Sequence, residues 1–230
     1  LVIDAVRTAL SADYEPTDKA IQNYYDTYLD IQKSYMERDL SYYDYYTSES
    51  VNLYMPAGFR YVKNLLIAIP DSVQEEIASL RADGKDAEAD ALRDQELSKI
   101  AAKAQGIYVR IQNGESYDEL LAAYGDDPGM KAGAENAEIG YRIYDGSKSY
   151  EDNFKEAAMG LANVGDVSQP VGSDYGYYII RYVGDSVEQE IPVEQVRDKI
   201  RAILVKEKAT EYYEEIYENW KRQAKIEEYK

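Results

Sequence analysis

Apolar positions along the chain follow two periods. In the N-terminal third they recur every three or four residues: Val2, Ile3, Val6 and Leu10, then Ile21, Tyr24, Tyr25, Tyr28 and Ile31. That spacing predicts amphipathic helices. Pro16-Thr17 opens the second of them, with Thr17 placed to cap it. Residues 41–54, dense in Tyr, Asp and Ser, follow neither period, and Met55-Pro56-Ala57-Gly58 reads as a turn. Residues 59–69, FRYVKNLLIAI, are apolar and β-branched and stop at Pro70, which predicts a buried strand.

A long charged segment, 71–112, is helical in pattern and broken at Gly84, as in a helical hairpin, and Asn113-Gly114 ends its second arm. Ser116 with Glu119 three residues on forms a capping box for a short helix whose apolar face is Leu120, Leu121 and Tyr124. Residues 125–140 read as a loop. Residues 150–161 read as a helix with Phe154, Ala157, Ala158 and Leu161 on one side. Residues 165–176 read as turns around Pro170, and 177–183, YYIIRYV, as a second strand. Pro192 starts a last helix striped by Val196, Ile200, Ile203 and Leu204 and continued by Ile216 and Trp220. A short strand–helix–strand core between helical flanks is an α+β pattern.

Composition narrows the chemistry. The 230 residues include 25 Tyr against 2 Phe and 1 Trp, so much of the aromatic core carries hydroxyls that need partners. The net charge of −18 disfavours nucleic acid, whose phosphates would be repelled. The absence of Cys and His excludes disulfides, thiolate chemistry, Ser-His-Asp catalysis and His-based zinc sites. The acidic pairs and clusters (Asp126-Asp127, Asp44) lack EF-hand spacing. No apolar run reaches the ~20 residues of a membrane span. The chain opens at Leu1 inside a helical pattern, as a trimmed chain would, so the lack of a visible signal peptide is uninformative. Tyr42, Tyr43, Tyr45 and Tyr46 suit either a peptide-binding surface or packing on the C-terminal helix.

From Phe154 the text FKEAAMGLANVGDVSQPVGSDYGYYII resembles the second half of parvulin-type rotamase domains. Phe154, Ala157 and Ala158 match the family's F-x-x-A-A helix. Gly165, Asp166, Val167, Ser168, Pro170 and Val171 match its G-[DE]-[VM]-S-x-P-V segment. Gly176, Ile179 and Ile180 match its last strand. Upstream, Tyr124 to Gly129 is similar to the family's Y-S-x-D-P segment, Ala137-Glu138-Ile139-Gly140 to its G-D-L-G turn, and 62–67 to its first strand. The flanks resemble those of PrsA- and SurA-type foldases.

The resemblance implies a parvulin-like small antiparallel sheet with packed helices. It sets an N-terminal helical segment at 1–58, a rotamase-like domain at 59–184 with a helical insertion at about 71–105, and a C-terminal helix at 185–230 packing on the N-terminal segment. It implies isomerisation of Xaa-Pro bonds in unfolded or proline-containing polypeptides, with no metal or cofactor. It implies an extracytoplasmic setting, either secreted or held by a lipid anchor upstream of Leu1. Carried over by position, Asn64, Asp127 and Tyr178 form the catalytic set, and Ile139, Tyr150, Phe154, Ser173 and Tyr175 the substrate pocket. Asn64 and Tyr178 stand where the family has histidines, and Tyr150 where it has a pocket Met. A scaffold without turnover, acting as a chaperone or peptide-binding module, is the alternative. Phe154 is then an ordinary helix core residue and Asp127 a turn cap.

Overall fold

The computed structural model describes residues 2–224. Its helices in chain order are α1 (Val2–Leu10), α2 (Asp18–Met36), α3 (Ser41–Glu49), α4 (Asp71–Ala82), α5 (Asp86–Gln112), α6 (Tyr117–Tyr124), α7 (Glu135–Ile139), α8 (Asp152–Met159) and α9 (Val193–Ala224). The strands are β1 (Tyr54–Met55), β2 (Arg60–Ala68), β3 (Tyr141–Ile143), β4 (Val171–Ser173), β5 (Gly176–Asp185) and β6 (Gln189–Glu190). They form two compact units, Leu1–Pro56 with Val187–Lys230, and Ala57–Ser186.

The first unit is helical. Thr17 caps α2, its Oγ1 accepting from Ala20 N at 3.1 Å. The buried face of α2 is Ile21, Tyr25, Leu29, Gln32 and Met36, which differs from the predicted stripe: Tyr28 and Ile31 are solvent-exposed. Two stripes share helical spacing here, and the one carrying Leu29 and Met36 turns inward. Gln32 is 1 % exposed, and its amide does the work of a strand partner. Its Nε2 donates to Val51 O at 2.8 Å and its Oε1 accepts from Leu53 N at 2.9 Å. Next along the chain, β1 pairs antiparallel with β6. The last helix, α9, packs on α1 and α2, burying Val196, Ile200 and Ala209, where each large apolar side chain contributes about 1.5–3 kcal/mol. Trp220, expected to continue that stripe, is 57 % exposed, because the buried part of the helix ends near Ala209.

The second unit holds a four-stranded antiparallel sheet of order β3-β2-β5-β4. Its centre is the pair of long strands expected from the sequence, β2 and β5, in register from Arg60↔Asp185 to Ala68↔Gly176 with a bulge at Tyr61/Val62. Cross-strand partners point to the same face. One face, carrying Leu65, Ile67 and Ile179, is covered by α5 and α6 through Ala104, Ile107, Tyr117 and Leu120. The other, carrying Val62 and Ile180, is covered by α8 through Phe154 and Ala158. Arg60 donates to the carbonyls of Ala158, Met159 and Leu161 at 2.7–3.0 Å and so closes the C-terminal end of α8. The predicted loop 125–140 contains a 3-10 turn, Pro128–Met130, and α7, while the predicted turns at 165–176 contain β4. These pieces are too short to show a hydrophobic period.

Candidate functional site

Beyond α8, the second sheet face is left open. The β2 positions Asn64, Leu66 and Ala68 form the floor of a cleft of 990 Å³. Tyr178 stands opposite Leu66 on β5. The wall is a chain of aromatic rings. Tyr141 meets Tyr150 edge-on at 5.9 Å, Tyr150 stacks on Phe154 at 5.6 Å, and Phe154 meets Tyr178 edge-on at 4.9 Å. Such offset and edge-to-face contacts hold rings rigidly.

A hydrogen-bonded network closes one end. Asp127, 9 % exposed, caps the 3-10 turn by accepting from Gly129 N at 2.8 Å. The same carboxylate accepts from Tyr141 Oη at 2.9 Å and from Asn64 Nδ2 at 2.9 Å. Thus Asp127 is at once the turn cap and the centre of the network. Reversing the Asn64 amide would set its carbonyl against a carboxylate, so the network fixes its orientation. Its Oδ1 is buried and has no hydrogen-bond partner. Gly129 permits the approach of Tyr141, since a Cβ there would stand 2.0 Å from the Tyr141 hydroxyl.

The other end is shaped by the β4–β5 turn. Ser173 Oγ accepts from Tyr175 N and Gly176 N and donates to Gly176 O at 2.9 Å. A Cβ at Gly176 would collide with Ile67 O at 2.1 Å, so the turn seats against β2 only with glycine. Beside the turn, Glu151 lines the cleft with Oε2 buried and unpartnered. Burial raises its carboxyl above the usual range, and the Asp174 charge adds to this. Burial likewise raises the Tyr178 and Tyr141 hydroxyls, with the Glu151 and Asp127 carboxylates adding to it, so both phenols stay protonated donors at neutral pH.

Six of the eight residues singled out from the sequence line this cleft together: Asn64, Asp127, Tyr150, Phe154, Tyr175 and Tyr178. Two do not. Ile139, at the end of α7, is 55 % exposed, and Ser173 is 1 % exposed and holds the turn from beneath. Sequence reasoning passed over Tyr141 and Glu151. The first directly follows the recognised turn ending at Gly140, and the second directly follows Tyr150.

A family model for PPIC-type peptidyl-prolyl isomerase (rotamase) domains matches residues 70–184. The chain belongs to the PPIC-type rotamase family. The match begins after β2, so the strand carrying Asn64 precedes it. The chaperone SurA of Ralstonia nicotianae is 34 % identical over 118 residues, which is 51 % of this chain and 21 % of that protein. The foldase protein PrsA of Clostridium botulinum is 30 % identical over 137 residues, 58 % of this chain and 38 % of that protein. This rotamase chain therefore aligns with between a fifth and two fifths of the length of these relatives. A crystal structure of the peptidylprolyl isomerase PrsA from Bacillus anthracis aligns over 99 % of this chain and 98 % of its own at 18 % identity, with a TM-score of 0.35. The cleft holds no histidine, for the sequence contains none, and its polar set is an amide, carboxylates and phenols.

Proposed function

We propose that this chain is a peptidyl-prolyl isomerase and foldase acting outside the cytoplasm on unfolded, proline-containing segments. The observation that carries this is the aromatic wall of Tyr150, Phe154 and Tyr178, continued through Tyr141 into the Asn64–Asp127 network at one end of a cleft in a rotamase domain. Isomerisation breaks no bond and needs no proton transfer. The amide must only twist through a barrier of ~18–20 kcal/mol. The wall receives the prolyl ring and excludes water. A planar amide is more polar than a twisted one, so a water-poor cleft disfavours the planar form. The Tyr178 phenol supplies a donor to the substrate, while the Tyr141 hydroxyl, already donating to Asp127, holds the network in place. Relatives named PrsA and SurA support the foldase role and the extracytoplasmic setting.

Magnetisation-exchange NMR on Xaa-Pro peptides tests the proposal without a coupled protease. Faster exchange with the wild-type chain, reduced at least severalfold in Phe154→Ala, supports it. No acceleration, or full acceleration in a folded Phe154→Ala protein, refutes it. The loss of both histidines favours a second outcome, a cleft that binds proline peptides without turning them over. Peptide shifts without exchange enhancement would establish that outcome.

A further inference from the structure

The cleft is lined by four carboxylates, Asp71, Asp126, Asp127 and Glu151, and by no Lys or Arg. Asp127 is fully engaged in its network. Asp126 and Asp71 are exposed and pair with no Lys or Arg among the described residues. Both lie near the end of β2: Asp126 Oδ2 accepts from Ala68 N at 3.0 Å, and Asp71 opens α4 three residues after Ala68. The two side-chain atoms of this cleft that are buried without a hydrogen-bond partner are Asn64 Oδ1 and Glu151 Oε2. Asn64 is 2 % exposed and sits on the floor. Both are oxygen atoms able to accept. A ligand that matches such a lining brings hydrogen-bond donors and positive charge. Among the described residues no group of carboxylates is arranged to hold a metal ion, and the aromatic wall suits an organic ligand.

We propose that this cleft selects prolines flanked by a Lys or Arg, the prolyl ring on the aromatic wall and the cation at the end marked by Asp71 and Asp126. This rests on the proposed proline-binding function and names its substrate class. The preference comes from the local carboxylates rather than from the net charge, whose far contributions are screened beyond about 10 Å at 0.1 M salt.

The test uses the full chain and three otherwise identical peptides, Lys-Pro, Ala-Pro and Glu-Pro, with affinities read by chemical-shift titration at 0.1 M salt. Exposed ion pairs are individually weak, but replacing an attraction by a repulsion at two carboxylates sums to a roughly tenfold preference for Lys-Pro over Glu-Pro. That ratio should shrink at 0.5 M salt and fall by more than half in Asp71→Asn/Asp126→Asn. Glu88→Gln, about 18 Å from Ile100 along α5, should leave it unchanged. Equal affinities for the three peptides overturn the inference and leave proline binding standing. So does a ratio lowered as much by Glu88→Gln as by the double variant. Failure of all three peptides to bind overturns both proposals.

Discussion

Asp127→Ala measures how far the cleft depends on its network. The substitution removes one acceptor from three donors: Gly129 N at 2.8 Å, and Tyr141 Oη and Asn64 Nδ2 at 2.9 Å. Asn64 is 2 % exposed, so its Nδ2 cannot recover a partner from bulk water. A buried donor left unpaired costs about 1–3 kcal/mol. Tyr141 and Gly129 are half-buried and recover part of theirs from solvent. The total loss should be about 3 kcal/mol. A double-mutant cycle with Tyr141→Phe isolates the network from simple truncation. Once the carboxylate is gone the Tyr141 hydroxyl has lost its acceptor, so removing it should cost about 1 kcal/mol less in the Asp127→Ala background than in wild type. Because the chain has two compact units, a global melt is a poor reporter. Native-state hydrogen exchange of β2 and β5 amides in urea reads the second unit directly. Additive effects within about 0.3 kcal/mol, or a loss below about 0.5 kcal/mol for Asp127→Ala, would refute the network as drawn.

Glu151 carries a folded-state pKa above its unfolded value, because burial opposes its charge. Its protonated form suits the fold, so stability is highest below the ordinary carboxylate range and declines as pH rises through the folded pKa. Glu151→Gln should accordingly raise the stability of the second unit, read by native-state exchange of β2 and β5 amides, at pH 7 and leave it nearly unchanged at pH 4, and an equal rise at both values would contradict this. In the first unit, Gln32→Ala orphans Val51 O and Leu53 N, and should cost about 2–4 kcal/mol. Guanidinium denaturation followed by exchange of the α2 and β1 amides checks it, and a cost under about 1 kcal/mol would show that water replaces the amide.

The parts legible in the sequence were those whose pattern outlasts noise. The strands β2 and β5 run nine and ten residues, long enough for their apolar content to show them as strands, while their pairing rested on the order of the family motifs. Asn64, Phe154 and Tyr178 came from the resemblance by position, and the structure sets all three on the cleft. Strands of two or three residues, such as β1, β3, β4 and β6, have no period to detect, and they are strands only because a neighbour pairs with them. Tyr141 was missed for that reason. It lies on the cleft because β3 pairs Tyr141 with Val62, a non-local fact. The stretch of α3, SYYDYYTSE, hid a helix because Tyr serves on buried and exposed faces alike: Tyr43 is buried there and Tyr45 is 56 % exposed. The resemblance sets Ile139 in the pocket by position, yet at the end of α7 it is 55 % exposed.

The connectivity of the two units bears on the order in which the chain folds. Residues 1–56 meet their partners α9 and β6 only after the whole of Ala57–Ser186 has followed them. As an open chain, joining β1 to β6 closes a loop of about 130 residues. Within the folded second unit Phe59 and Ser186 are tied at both ends, Ser186 N to Phe59 O at 2.8 Å and Phe59 N to Ser186 Oγ at 3.1 Å. The effective loop then shrinks to about eight residues, which lowers the entropy of closure by roughly 2.5 kcal/mol. The rotamase domain thus acts as an internal clamp on the assembly of the helical unit. A lesion confined to its sheet should slow the appearance of α9 protection, although no residue of the helical unit has changed.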